Sequence, residues 1–196
     1  MKLPEKSRMK AYVILLRGIN VGGKNNIPMA GLRKRLAALG YANVLTYIAS
    51  GNVVVQSIKR PAEIKAQIEK TLLESFRLDS ELIKVLVLTR SQLQAVIDRK
   101  PKGFGEQPEK YHSDVIFLMG LAAARAMPVF NPRAGVDQIW PGDGVIYSQR
   151  LSALRTKSRL STIMGTPEYK SMTIRNWNTT IKLLELLKTA EQRAAE

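Results

Sequence analysis

Cysteine is absent from this chain of 196 residues. No disulfide framework, thiolate metal site or cysteine nucleophile is therefore available. The same absence fits a reducing compartment. Histidine occurs once, at His112, so a His/Cys metal cluster lacks its ligands and no metal is expected. A Ser-His-Asp triad would have to use His112, and no nucleophile-elbow motif accompanies it. His112 reads as a surface or edge residue. Aromatic residues make up only 6% of the chain, and the strand-like runs at 12–16 and 53–56 are mainly aliphatic. An RNP-type stacking platform is not expected on them. No apolar run approaches the roughly 20 residues of a membrane helix. The run at 11–16 is too short for a signal h-region. A cytosolic protein without a membrane partner is the expectation.

Acidic residues are missing from two long stretches. Residues 11–62 contain no carboxylate but seven cations: Arg17, Lys24, Arg33, Lys34, Arg35, Lys59 and Arg60. Residues 145–167 again have none, with Arg150, Arg155, Lys157 and Arg159. The formal charge is +15. A field of this kind attracts polyanions: nucleic acid, phosphorylated metabolites or acidic lipid. The alternative is a charge that only keeps the surface soluble.

What is present is enough for a core. Hydrophobic residues are 45% of the chain, and a chain of this length buries roughly 70% of its extended surface on folding. Residues 12–16 read as a buried strand, followed by a Gly/Asn-rich loop at 17–27. Pro28 suits the first turn of a helix whose face carries Met29, Leu32, Leu36 and Leu39, ended by Gly40. A strand at 44–48, a turn at Ser50, Gly51 and Asn52, and a strand at 53–56 form a hairpin. A helix from Pro61 with Ile64, Ile68, Leu72 and Phe76, then a strand at 83–88, complete a βαββαβ order. Ser91 caps a helix carrying Leu93, Val96 and Ile97, and residues 102–110 read as a linker.

The second half repeats the plan: a strand at 115–119, a short Ala-rich helix at 121–127, and strands at 136–140 and 145–149 around a glycine turn. A basic helical stretch at 152–164 and a last helix at 178–190 follow. The expected fold is α+β: two ferredoxin-like halves with mostly antiparallel sheets and helices on one face. The expected divisions are a tail at 1–10, a first half at 11–90, a helix and linker at 91–110, a second half at 111–190 and a tail at 191–196.

Three local features are candidate ligand sites. The first is the loop after the first strand, with Arg17, Gly18, Asn20, Gly22, Gly23 and Lys24. Gly18, Gly23 and Lys24 match three fixed positions of a phosphate-binding P-loop. Asn25 stands where a Mg²⁺-binding Ser or Thr belongs, and Pro28 delays the helix, so a looser anion loop is the better reading. The plain alternative is a loop whose glycines only permit positive φ. The second is the hairpin turn with Tyr47, Ser50 and Asn52, which adjacent strands place beside that loop. The third is Arg175, Asn176, Trp177 and Asn178 before the last helix. There Asn176 or Asn178 is an N-cap and Trp177 a core anchor, or the group binds an anion and stacks a base.

These blocks resemble a bacterial family, domain of unknown function 1697. The likeness rests on residues 15–23 (Leu-Leu-Arg-Gly-Ile-Asn-Val-Gly-Gly), Pro28-Met29 with Leu32, Thr46-Tyr47 with Ser50-Gly-Asn52, and the Arg-Asn-Trp-Asn-Thr run at 175–179. It covers about residues 10–187. The resemblance implies two similar ferredoxin-like halves and brings no reaction, cofactor or catalytic residue. The Ala-rich stretch at 121–126 departs from a strongly patterned helix. The leading functional expectation is a binder of anionic ligands, nucleic acid or a nucleotide, without a cofactor. An enzyme acting on a phosphorylated small molecule, holding it with Arg17, Lys24, Asn52 and Arg175, is the second. A protein interaction module is the third. Catalytic residues and oligomeric state stay open at this level.

Overall fold

A computed structural model describes residues 9–79 and 83–193. The outer parts of both expected tails, residues 1–8 and 194–196, lie outside the described residues. The first half runs β1 (Lys10–Arg17), α1 (Met29–Ala38), β2 (Ala42–Tyr47), β3 (Asn52–Ser57), α2 (Pro61–Ser75) and β4 (Lys84–Thr89). After α3 (Arg90–Asp98) the second runs β5 (Tyr111–Leu118), α4 (Ala123–Ala126), β6 (Asp137–Pro141), β7 (Val145–Leu151), three 3₁₀ segments and β8 (Met172–Asn176). The chain continues into α5 (Trp177–Arg193).

Both four-stranded sheets are antiparallel and have matching order, β2-β3-β1-β4 and β6-β7-β5-β8. The first half is βαββαβ in order, and the second keeps the same strand order with 3₁₀ segments in place of the helix before its last strand. The repeat extends to single bonds. Leu16 N–H donates to the carbonyl of Gly51 at 2.8 Å, and Leu118 N–H to that of Gly144 at 2.9 Å. Both glycines have positive φ, +73° and +68°.

Period-two alternation divides the residues of β1 and β3 between two faces. Tyr12, Ile14, Leu16, Val53 and Val55 face a core completed by Leu32 and Leu36 of α1 and by Ile64, Ile68 and Leu72 of α2. Pro61 starts α2, and the Glu63 carboxylate accepts the Arg60 N–H at 2.7 Å. The opposite face carries Gln56, whose side-chain amide donates to the carbonyl of Ala190 in α5. The second half has its own core around Ile116, Ile146, Phe130, Leu160, Ile163 and Met172.

The described residues form two compact units, one made of those up to 91 together with 183–193, the other of 92–182. The end of α5 thus belongs with the first sheet. Residues 102–110 form successive turns. Phe104 among them is fully buried and meets Trp140, Tyr147 and Trp177 edge to face at 5.2–6.1 Å.

The basic stretch expected as a helix at 152–164 is instead 3₁₀, at Ser152–Lys157 and Leu160–Gly165. Leu154 leaves helical geometry (φ −113°, ψ 22°). Asp137 explains the break between the segments. Its Oδ2 accepts N–H groups from Arg159 at 2.9 Å and Arg133 at 3.0 Å. An N–H held from outside cannot close an α-helical turn. The short helix expected at 121–127 is α4, continued by a 3₁₀ turn at Met127–Val129.

Candidate functional site

The glycine-rich loop leaves β1 at Arg17 and closes on itself through two asparagines. Asn20 and Asn25 both sit at positive φ, 52° and 48°, which asparagine tolerates better than most residues. The Asn20 amide donates to the carbonyls of Ile27 at 3.0 Å and Ala49 at 2.8 Å, and its Oδ1 accepts the Ile27 N–H at 2.7 Å. One side chain therefore ties the loop to the β2–β3 turn. Lys24 N–H donates to Val21 at 3.1 Å, making a tight turn with Gly22 and Gly23 at φ +60° and +75°. Asn25 is buried and donates its side-chain amide to the Gly18 carbonyl at 2.6 Å.

These bonds decide what the loop can offer. Asn20 N–H donates to the Asn25 carbonyl at 3.1 Å. Asn25 N–H donates to the Asp79 carboxylate at 2.6 Å, and Asp79 N–H returns a bond to Asn25 Oδ1 at 2.7 Å. The N–H groups of Asn20, Lys24 and Asn25 are thus engaged within the protein, the last by a carboxylate. A P-loop keeps such groups for phosphate. Of the two cations of the loop, Lys24 is exposed and Arg17 is half-buried.

The β2–β3 turn occupies residues 48–51. Asn52, expected as a turn residue, instead opens β3, is fully buried, and donates its amide to the Tyr47 carbonyl at 3.1 Å. Its side chain holds the hairpin closed. Gly51 is required: a Cβ there would lie 2.9 Å from Leu16 Cβ and 3.0 Å from the Leu16 carbonyl oxygen. Ser50 is exposed and Tyr47 half-buried. Ile48 has φ +49° while 52% exposed. A β-branched side chain in the left-handed region costs about 1–2 kcal/mol, and an exposed one recovers little of this by packing. Val21, at the tip of the neighbouring loop, is 69% exposed.

Helix α1 follows the same loop. Arg33, Lys34 and Arg35 are all exposed. Among the described residues neither they nor Lys24 form an ion pair. Met29 Sδ lies 3.7 Å from the Asn20 amide, which fixes the start of α1 beside the loop. At a rise of 1.5 Å per residue, the three cations begin about 6–9 Å further along its axis.

The third candidate group belongs to the second unit. Arg175 is 6% exposed, and its guanidinium donates to Thr173 Oγ1 and the Ile174 carbonyl, both at 2.8 Å. Burial lowers its pKa to about 10. Asn176 is the N-cap of α5, accepting the Asn178 N–H at 3.0 Å. Trp177 is a core residue at 6% exposure, and Asn178 is exposed. Asn176, Trp177 and Asn178 line a cavity of about 120 Å³ with Tyr111 and His112. His112 Nε2 lies 3.1 Å from Asp114 Oδ1, and Arg150 lies 3.6 Å from Oδ2 of the same carboxylate. Asp114 is two residues along the same strand, β5, whereas the cavity arises from β5 running beside β8. A second, more apolar cavity of about 200 Å³ lies over the sheet at Ile116, Leu160, Ile163, Met164 and Ile174. No group of three or more potential metal ligands occurs among the described residues. No described helix is long and apolar enough to cross a membrane.

Two ferredoxin-like halves of matching strand order, each closed by a glycine at the end of its hairpin turn, define the class of this protein. The chain belongs to the family described as Protein of unknown function (DUF1697), whose model matches residues 9–147. It is similar in structure to the conserved bacterial protein SP0830 from Streptococcus pneumoniae, at TM-score 0.74 and 26% identity over 91% of this chain and 99% of that one. No curated protein matches it.

Proposed function

We propose that this protein binds polyanions, with nucleic acid as the ligand, through the basic surface of its first unit. The observation that carries the reading is the set Lys24, Arg33, Lys34 and Arg35: exposed, and without an ion pair among the described residues. Carboxylates of the first unit have partners of their own. Glu63 takes a helix-end N–H, Asp79 a loop N–H, and Glu69 and Glu74 pair with Lys65 and Lys70 along α2. Unpaired surface cations that displace counterions from phosphates gain affinity by that release. With the N–H groups of Asn20, Lys24 and Asn25 already bonded, an extended phosphate backbone is favoured over a single cradled phosphate. Arg155 and Lys157 in the second unit are likewise exposed.

The test is a titration of a labelled mixed-sequence oligonucleotide across a salt series. Binding should weaken linearly in log–log form with a slope of about −0.9 per phosphate contact for duplex. Replacing Arg33, Lys34 and Arg35 by alanine should flatten the slope by about 2–3. Affinity no tighter than about millimolar at low salt would remove the reading, since non-specific binders reach about 10⁻⁴–10⁻⁶ M even at physiological salt.

A further inference from the structure

Resting on that reading, we propose that Ile48 and Val21 form an apolar wedge that inserts between base steps of double-stranded nucleic acid held by the basic side chains. Ile48 occupies a left-handed conformation at φ +49° and leaves half its surface in water. Neither local geometry nor packing accounts for isoleucine there. Asparagine or glycine would satisfy the backbone better. Val21 is 69% exposed on the adjoining loop. The two loops are joined at 2.8 Å by the Asn20 amide and the Ala49 carbonyl, so the bond that unites them lies between the residues next to Val21 and Ile48.

The surroundings select the partner. Residues 11–62 supply no carboxylate, and the unpaired cations of α1 begin about 6–9 Å along the axis from its first residue. Lys24, three residues after Val21, is exposed, and the Asp79 carboxylate that reaches this loop is held by the Asn25 N–H; an apolar tip beside such cations needs a partner with charge outside and an apolar interior. A duplex has phosphates around stacked bases, and aliphatic wedges of this kind unstack a step and kink the helix. Single strands are gripped by aromatic stacking, and both tips are aliphatic. An anionic membrane has the same layering, but interfacial anchors use a long amphipathic face with Trp, Phe or Leu. Two β-branched residues on tight turns do not make one.

The experiment uses the full chain, a duplex of about 20 base pairs carrying a donor and acceptor dye at its ends, and vesicles of phosphatidylglycerol and phosphatidylcholine. A wedge contact is apolar, so it adds affinity without changing the salt slope. Ile48→Asn, alone and with Val21→Ser, should bind the duplex about tenfold more weakly at every salt concentration, on a parallel line. Wild-type protein should shorten the dye distance, because wedges kink a duplex by about 20–90°, and the variants should not. Asparagine accepts the left-handed conformation, so misfolding will not mimic this result. Unchanged affinity and bending in the variants would overturn the wedge while leaving the basic surface intact. Absence of duplex binding by the wild type would overturn both readings. Vesicle binding that Ile48→Asn abolishes, with duplex binding unaltered, would assign the tip to membranes and overturn the proposal.

Discussion

Asn20 shows how much one side chain can organise. It spans two loops with three hydrogen bonds, at 2.7–3.0 Å, and its own backbone adopts φ +52° to do so. Ile48 lies at the other end of that arrangement and gains nothing comparable from its position. Its strain predicts that Ile48→Asn stabilises the protein by about 1 kcal/mol. Urea denaturation at constant m-value would measure this; a loss of stability would mean that Ile48 packs better than its 52% exposure implies. The glycines and asparagines of these loops were legible as turn formers, because positive φ restricts residue choice locally. The engagement of Asn25 by Asp79 was not. The partners are separated by 54 residues, and no local pattern encodes such a pair.

At the scale of elements, α1, α2 and the first four strands follow from periodicity, while the segment between β7 and β8 does not. Its composition reads as a basic helix. Asp137 on β6 overrides that preference by holding the Arg159 and Arg133 N–H groups. Burial opposes ionisation of Asp137. The Arg159 N–H, the Ser158 hydroxyl, the Arg133 N–H and the charge of Arg150 outweigh it, so the pKa falls below its ordinary 3.8. The depressed value means that the folded state prefers the ionised carboxylate. Its contribution is therefore complete above the unfolded pKa and is lost as pH falls through the lower folded value. Asp137→Asn should cost about 1–2 kcal/mol near neutral pH, since the Arg133 and Arg159 N–H groups, both on Oδ2, exchange an ionised acceptor for a neutral one. The deficit relative to wild type should shrink below about pH 4. Paired unfolding curves across that range would show it, and a deficit independent of pH would assign Asp137 a purely steric role.

Across the whole molecule, the two halves solve one problem with equivalent residues. Gln56 lies opposite Ala11 in the first sheet, and Gln149 opposite Ser113 in the second. Both are buried, and each bonds the segment covering its sheet: Gln56 to the Ala190 carbonyl, Gln149 to the Gly105 N–H. Leu183, Leu187 and Ala190 share one face of α5 and are buried, and Arg90 pairs with Glu191 at 2.9 Å. A chain ending at Lys182 should lose more than about 5 kcal/mol, because several buried side chains go together. That approaches the whole stability of an ordinary domain. Hydrogen exchange should then find β1 and β3 unprotected. Preserved protection there would show that the first sheet stands without the end of α5.

Sequence alone determined the alternation of strands and helices, the glycine turns, the twofold plan and the segregation of charge, because each is written in spacing or composition within a few residues. Tertiary structure decided which loop N–H groups are already bonded, that Arg175 and Trp177 are buried, that a basic stretch becomes 3₁₀, and that α5 ends with the first sheet. Those outcomes depend on contacts between distant parts of the chain, whose energies exceed local preference and leave no periodic trace in it.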